Sequence, residues 1–362
     1  MSPPRIAAVF GTRPEIVKLS PLIADPPFGA PLRLIHTGQH YSASMDAVFF
    51  ADLELPAPDV NLGIGSGRHG EQTGAMMAAI ERSLVADPVE AVLVQGDTNS
   101  ALAGALVAAK MQRPIIHLEA GCRSGSRHQP EEINRVLIGS IASLHLAPND
   151  EAIRNLDREG IRGASVVLVG STAVDACLSH RAAANGRRSA LLADLGVTPP
   201  YAIATVHRAE STQPDVLPGI LDALADISRE IPVILPLHPR AKAAGAVARA
   251  DAPNLRVIEP LGYLDLLALL SGAAVAISDS GGIQEEAPAL GVPVVIPRRE
   301  TEWTDLVGPL GNIVAGVERA DIVAATRAAM ARPEPRANLP ALSERVGAAE
   351  RARVAIERFL AG

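Results

Sequence analysis

Short apolar runs alternate with helix-like stretches along this 362-residue chain, and that alternation constrains its fold more than any other feature. Ile6–Phe10 reads as a strand and Glu15–Ile23 as the helix after it. Leu32–His36 is the next strand. "AVLVQGD" (91–97) is another, followed by the Ala-rich helix "TNSALAGALVAAKMQ". "PIIHLEAG" (114–121) is a strand, then come a loop and the helix "PEEINRVLIGSIASL", and "SVVLVGS" (165–171) closes the series. Such βα repeats build a mostly parallel sheet with helices on both faces. Composition agrees: 48% of residues are hydrophobic but only 2% aromatic, so Ala, Val, Leu and Ile must fill the core. That suits strands buried on both faces.

The pattern then restarts. Residues 186–200 are polar and then Pro-bounded, and "YAIATVH" (201–207) opens a second series. It continues through "PVILPLH" (232–238), "LRVIEPL" (255–261), "AVAIS" (274–278), "VPVVIPR" (292–298) and "NIVAG" (312–316), with a last amphipathic helix at about 343–360. The chain is also too long for one simple core. The expected fold class is α/β, with two Rossmann-like doubly wound domains at 1–169 and 170–345, a final helical segment at 346–362, and a ligand cleft between the domains.

Charge and motif content exclude several functions. The net charge of −7 argues against nucleic acid or an anionic membrane as partner, while leaving room for a local basic pocket. Cys122 and Cys177 have neither zinc spacing nor a disulfide framework, which fits the reduced cytoplasm. The N-terminal residues show no long apolar core and no cleavage site, and every apolar run is broken short of a membrane span. No HExxH and no Asp-rich magnesium site is present, so no metal is expected. "VFGTRPE" lacks GxGxxG, so no bound nicotinamide and no other cofactor is expected.

The chemistry-bearing residues fall at the C-terminal ends of the predicted strands, where open α/β sheets bind ligands. In the first half these are "GTRPE", "TGQH", "GDTNS" and "HLEAG"; in the second they are "VHRAE", "LHPR" and "SDSGG". Arg13 is a surface arginine or a bidentate phosphate clamp. Asp97 caps the next helix or faces the cleft, with Thr98 as the competing cap. Glu119 has no evident partner in sequence. Glu131 and Glu132 open a helix, where they favour its positive end, and Arg123 and Arg135 are near enough to neutralise some of this acid. His207 with Arg208, and His238 with Arg240, fit diphosphate binding and proton transfer. In "SDSGGIQEEAPALG" the bare pair Gly281 and Gly282 is either a tight turn or a cradle for phosphate at a helix N-terminus.

Taken together, "VFGTRPEIVKLSPL", "TGQHY", "QGDTNSALAGAL", "HLEAGCRSG", "PEEINR", "ATVHRAE" and "SDSGGIQEEAPALGVPVV" resemble the non-hydrolysing UDP-N-acetylglucosamine 2-epimerases, in family order, from about residue 5 to about residue 317. The resemblance implies the two-domain fold shared with GT-B glycosyltransferases, a C-terminal helix returning to the first domain, a homodimer and a UDP-sugar substrate. It implies catalytic roles for Asp97, Glu119 and Glu131, and a catalytic or phosphate-contacting role for His207. It also implies a diphosphate cradle at Ser280, Gly281 and Gly282, ribose binding by Glu286, and a place for Arg13 and Lys18 in the first nucleotide-site motif. Arg135, Arg208 and His238 complete the substrate-binding set. "ETEWTD" (300–305) stands where many members read "TERPE", which is closer to epimerases of UDP-2,3-diacetamido-glucuronic acid. Around "TGQHYSASMD", residues that hold a second, activating UDP-sugar in many bacterial members do not match well, Ser42 standing in place of a glutamine. A hydrolysing 2-epimerase and a GT-B glycosyltransferase are the rival activities.

Overall fold

A computed structural model describes residues 3–39, 43–208, 210–245, 252–308, 311–331 and 344–362. Ser42 lies outside them. The first βα series runs β1 (Ile6–Phe10), α1 (Arg13–Ala24), β2 (Arg33–His36), α2 (Ala43–Asp52), β3 (Val60–Asn61), α3 (His69–Ala86), β4 (Ala91–Gln95), α4 (Asn99–Lys110), β5 (Ile115–Leu118), α5 (Pro130–Ile141), β6 (Leu144–Ala147), α6 (Asp150–Arg158) and β7 (Val166–Leu168). The long helix α7 (Thr172–Leu195) leads to the second: β8 (Ala202–Thr205), α8 (Leu217–Ile227), β9 (Val233–Pro236), α9 (Pro239–Ala243), β10 (Leu255–Ile258), α10 (Tyr263–Ser271), β11 (Val275–Ser278), α11 (Gly281–Ala289), β12 (Val294–Ile296), β13 (Ile313–Val314) and α12 (Arg319–Ala331). α13 (Ala348–Ala361) ends the chain.

The chain divides into two compact units, residues 1–176 with 344–362, and residues 177–343. Each holds one sheet, in the order β3-β2-β1-β4-β5-β6-β7 in the first and β10-β9-β8-β11-β12-β13 in the second. All described pairings are parallel. Both orders are doubly wound. The direction of winding reverses between β1 and β4 in one sheet and between β8 and β11 in the other. Every residue of β1, β4, β5, β9 and β11 is buried, which is why these strands read as unbroken apolar runs.

Several boundaries differ from the sequence reading. The helix expected over 130–144 stops at Ile141, and Leu144–Ala147 is instead a buried strand between β5 and β7. The Ser143 backbone N–H donates to the Ile115 carbonyl, which ends the helix and starts the ladder. "LHLA" is too short and too evenly apolar for its period to tell strand from helix. β3, a two-residue strand, carries no readable period. The polar stretch from 186 is helical to Leu195, and α7 passes through the boundary between the units at 176.

α4 packs on β1 and β4 through Gly104. A Cβ there would lie 3.0 Å from Val9 Cβ and 3.1 Å from Val94 Cγ1, so the helix is seated as closely as a side-chain-free position allows. Gly104→Val overpacks this layer. We expect a loss of about 1–3 kcal/mol in urea unfolding, with the secondary structure retained; an unchanged midpoint would show that the layer can relax.

Candidate active site

In the first unit the candidate residues sit where the winding reverses. Thr12 caps α1, and Glu15, three residues on, closes a capping box. Glu15 also accepts from Gly11 N–H (3.0 Å), Thr12 N–H (2.9 Å) and, across the gap to β4, the Thr98 hydroxyl (2.8 Å). Burial pushes its carboxyl up to about 7 against the pull of these four donors, the Thr12 hydroxyl included. Glu15 thus ties the Arg13 loop to the Asp97 turn. The Arg13 guanidinium lies 5.8 Å from the centre of the Phe49 ring.

Thr98, not Asp97, caps α4, accepting from the Ala101 N–H at 3.0 Å. The Asp97 carboxylate instead pairs with Arg135 of α5. The Asp97 carbonyl accepts from Asn134 at 2.8 Å, and the carbonyl of Gly96 contacts His117 Nε2 at 2.8 Å. Glu119, without an evident partner in sequence, is met in the fold by Lys18, reaching over from α1, and by Gln95 Nε2 at 2.7 Å. Its backbone is left-handed, with φ +67°, a strained conformation that concentrates at functional positions. Of the adjacent acids, Glu131 is exposed and Glu132 is buried. Glu132 accepts from Ser124 N–H (2.9 Å), Gly125 N–H (3.0 Å) and Arg135 (3.0 Å). Burial alone would raise its carboxyl; these donors and the Arg135 charge hold it below the usual range.

In the second unit the ends of β8 and β11 meet in the same way. Asp279, fully buried, accepts from the backbone N–H groups of His207 (3.0 Å) and Arg208 (2.9 Å) and from His207 Nδ1 (2.9 Å). Burial opposes its charge, yet the His207 charge and these donors hold the carboxyl well below the usual range. The His207 and His238 rings lie 5.7 Å apart, and Arg240 donates to the His207 carbonyl at 2.6 Å. Ser280 precedes the first turn of α11, which opens with Gly281 and Gly282. Only the first of the pair is crowded. A Cβ on Gly281 would lie 3.2 Å from Glu302 Oε1, 3.3 Å from Trp303 Nε1 and 3.5 Å from Arg208 Nη2, whereas one on Gly282 would meet Ser280 Oγ alone at 3.8 Å. Glu302 bridges Arg208 (2.6 Å) and the buried Arg298 (3.0 Å), and Arg298 Nε reaches Glu210 at 2.8 Å. Glu286 lies buried on α11, its carboxylate accepting from the Tyr263 hydroxyl at 3.2 Å. Burial, reinforced by Glu286, pushes both that hydroxyl and the Cys177 thiol well up.

The fold therefore gathers Arg13, Lys18, Asp97, Glu119 and Arg135 at one sheet edge of the first unit, and His207, Arg208, His238, Ser280, Gly281 and Gly282 at one edge of the second. Glu131 makes none of the contacts found for its neighbours. Glu15, His117 and Asp279 are additions that sequence did not single out, and Glu132, read there only as one of two acids opening a helix, is the one that turns inward. Among the described residues no group of three or more His, Cys, Asp or Glu is placed to hold a metal, and no helix is long and apolar enough to cross a membrane.

The family model for UDP-N-acetylglucosamine 2-epimerase matches residues 28–351. This chain belongs to that family. It is 41% identical over 329 residues to UDP-N-acetylglucosamine 2-epimerase of Methanococcus maripaludis, covering 88% of this chain and 90% of that protein. It is 38% identical to the UDP-2,3-diacetamido-2,3-dideoxy-D-glucuronate 2-epimerase of Pseudomonas aeruginosa, covering 91% and 93%. The fold superposes on the crystal structure of Methanocaldococcus jannaschii UDP-GlcNAc 2-epimerase in complex with UDP-GlcNAc and UDP with a TM-score of 0.88, at 37% identity, covering 99% of this chain and 100% of that one.

One residue beneath this epimerase-family site makes stability depend on pH. Burial lowers His117 from its ordinary 6.5 to about 3. Below pH 6.5 the unfolded chain takes up a proton that the folded chain refuses, so stability declines as pH falls and goes on declining towards pH 3. Between pH 6.5 and 4.5 this one group costs about 2–3 kcal/mol. Urea unfolding at the two pH values should show a gap narrower by that amount in His117→Gln than in the wild type. Equal gaps would mean that His117 is protonated in the folded state.

Proposed function

We propose that the chain is a non-hydrolysing UDP-N-acetylglucosamine 2-epimerase interconverting UDP-GlcNAc and UDP-ManNAc. The observation that carries this reading is the contrast between the two switch points. One is lined with carboxylates, Asp97 and Glu119, held by Arg135 and Lys18. The other offers the opening turn of α11 with two histidines and two arginines beside it. The first suits proton exchange on a sugar, and the second suits a diphosphate.

The chemistry follows from the substrate. C2 of a 2-acetamido sugar has no acidic proton while C1 is an acetal. In the proposed reaction a carboxylate removes the C2 proton as the C1–O bond breaks, and the electron pair of the C2–H bond becomes the C1–C2 double bond of 2-acetamidoglucal. UDP leaves with the electrons of the C1–O bond. Re-addition of UDP, with a proton delivered to the opposite face of C2, completes the inversion. Asp97, Glu119 and Glu131 are the carboxylates assigned to this exchange. Arg13, Lys18, Arg135, Arg208, His238, Ser280, Gly281 and Gly282 bind the substrate, and Glu286 holds the ribose. Cytoplasmic location and a homodimeric state belong to the same reading, and light scattering of the purified protein tests the latter.

A second substrate has a specific argument. The diacetamido-glucuronate epimerase relative is 38% identical, close to the 41% of the UDP-N-acetylglucosamine relative, and "ETEWTD" departs from "TERPE". Incubation with each UDP-sugar in deuterated water separates the possibilities. We expect UDP-ManNAc carrying deuterium at C2 and no requirement for nicotinamide. Free N-acetylmannosamine would indicate a hydrolysing enzyme, turnover of the uronate alone would name the other substrate, and inversion without deuterium would overturn the elimination.

The ribose assignment has its own test. Glu286→Ala should weaken UDP binding by about 1.5–3 kcal/mol in calorimetry, the loss of a charge-assisted hydrogen bond. An unaltered affinity would remove Glu286 from the nucleotide site.

A further inference from the structure

We infer that Asp279 is a positioning residue for this reaction, holding His207 by its Nδ1 edge so that Nε2 is the edge offered to a phosphate oxygen. The inference rests on the proposed function for its chemistry, but its geometry is independent of it. Asp279 Oδ1 lies 2.9 Å from His207 Nδ1, and Oδ2 takes the backbone N–H groups of His207 and Arg208 at 3.0 and 2.9 Å. The same carboxylate thus fixes both the backbone and the ring of His207. The carboxylate side chain is wholly buried while the His207 side chain is 34% exposed, so the ring reaches from a dry anchor towards solvent.

An ionised carboxylate cannot donate, so it selects the tautomer with the proton on Nδ1. Neutral His207 is then bare at Nε2, and a proton taken up there makes the imidazolium that Asp279 stabilises. Other charged or titratable groups also lie near the ring. They are His238 at the end of β9, 5.7 Å between ring centres, Arg240 on the His207 carbonyl, and the neighbouring Arg208, itself paired with Glu302. Asp279 is the carboxylate that directly contacts the ring among the described contacts. In the forward step the Nε2 proton passes to the phosphate oxygen as the C1–O bond breaks, its bonding pair remaining on nitrogen. On re-addition the same proton returns, and no electron acceptor is required.

Asp279→Asn keeps the size of the side chain but donates to Nδ1 and reverses the tautomer. Two measurements test it. Long-range 1H–15N spectra of the labelled wild type, with His207 assigned by its loss in His207→Gln, should show neutral His207 protonated at Nδ1. In Asp279→Asn the proton should be at Nε2. In kinetics the variant should lose about tenfold or more in kcat while the Kd for UDP rises less than about threefold. A wild type protonated at Nε2, or a folded variant with unchanged kcat, overturns the inference. Should the variant not fold, the wild-type spectrum alone decides. A wild type with the Nδ1 tautomer but no epimerase activity tells against the proposed function and leaves the hold of Asp279 on His207 standing.

Discussion

Arg135 is only 4% exposed, and its guanidinium bonds Asp97 and Glu132 at once. Glu132 in turn gathers the N–H groups of Ser124 and Gly125, and Asn134, one residue before Arg135, takes the Asp97 carbonyl. A single turn of α5 therefore fixes both the turn after β4 and the loop after β5. Removing Arg135 would leave the buried Glu132 carboxylate and Asp97 without their shared cation, a change that typically costs about 3–5 kcal/mol. The acids at this edge are thus part of the fold's own electrostatics. An enzyme that needs a carboxylate at a fixed point can obtain that rigidity from ion pairs which an isolated surface acid would lack.

The sheet topology explains why such residues collect where they do. Between β1 and β4, and again between β8 and β11, successive connections leave in opposite directions, so the loops part and the strand ends stay open. Side chains cross both openings. Thr98 reaches Glu15 over one, and Asp279 grips His207 and Arg208 over the other. In the first unit cations hold acids, and in the second a buried acid holds the backbone of His207 and Arg208 and the His207 ring.

These features differ in how far sequence exposes them. The central strands were legible because burial on both faces leaves no polar residue to interrupt them, whereas β6 merged into the preceding helix and β3 was too short to show a period. Arg13, Asp97, Glu119, His207 and the Gly281–Gly282 pair were legible because a polar or bare residue at the end of an apolar run has no packing purpose. Glu15 was not, since an acid three residues after a Thr is already accounted for as a capping box. Nor was Glu132 separable from Glu131. Successive helix positions differ by about 100° in direction, and only the loop at Ser124 and Gly125 determines which of the two turns inward. Asp279 was hidden for a related reason. In "SDSGG" it reads as one more polar turn residue, and its partner lies 72 positions earlier in the chain.

The net charge of −7 is compatible with a pocket for an anion because the field at a site is set by what lies within a few ångströms. Around Gly281 the arginines are tempered, not bare: Arg208 shares Glu302 with Arg298, and Arg298 also engages Glu210. Arg298 meets two carboxylates through Nε and Nη1 while its buried Nη2 has no hydrogen-bond partner among the described residues. Lysine has one nitrogen and no fork, and could not span both acids in this arrangement. The rigidity of that fork matters more than its charge. It holds Glu302, and through it Arg208, at a set distance from the first turn of α11, so the cationic edge of the second unit keeps its shape in the way that the acidic edge of the first keeps its own through Arg135.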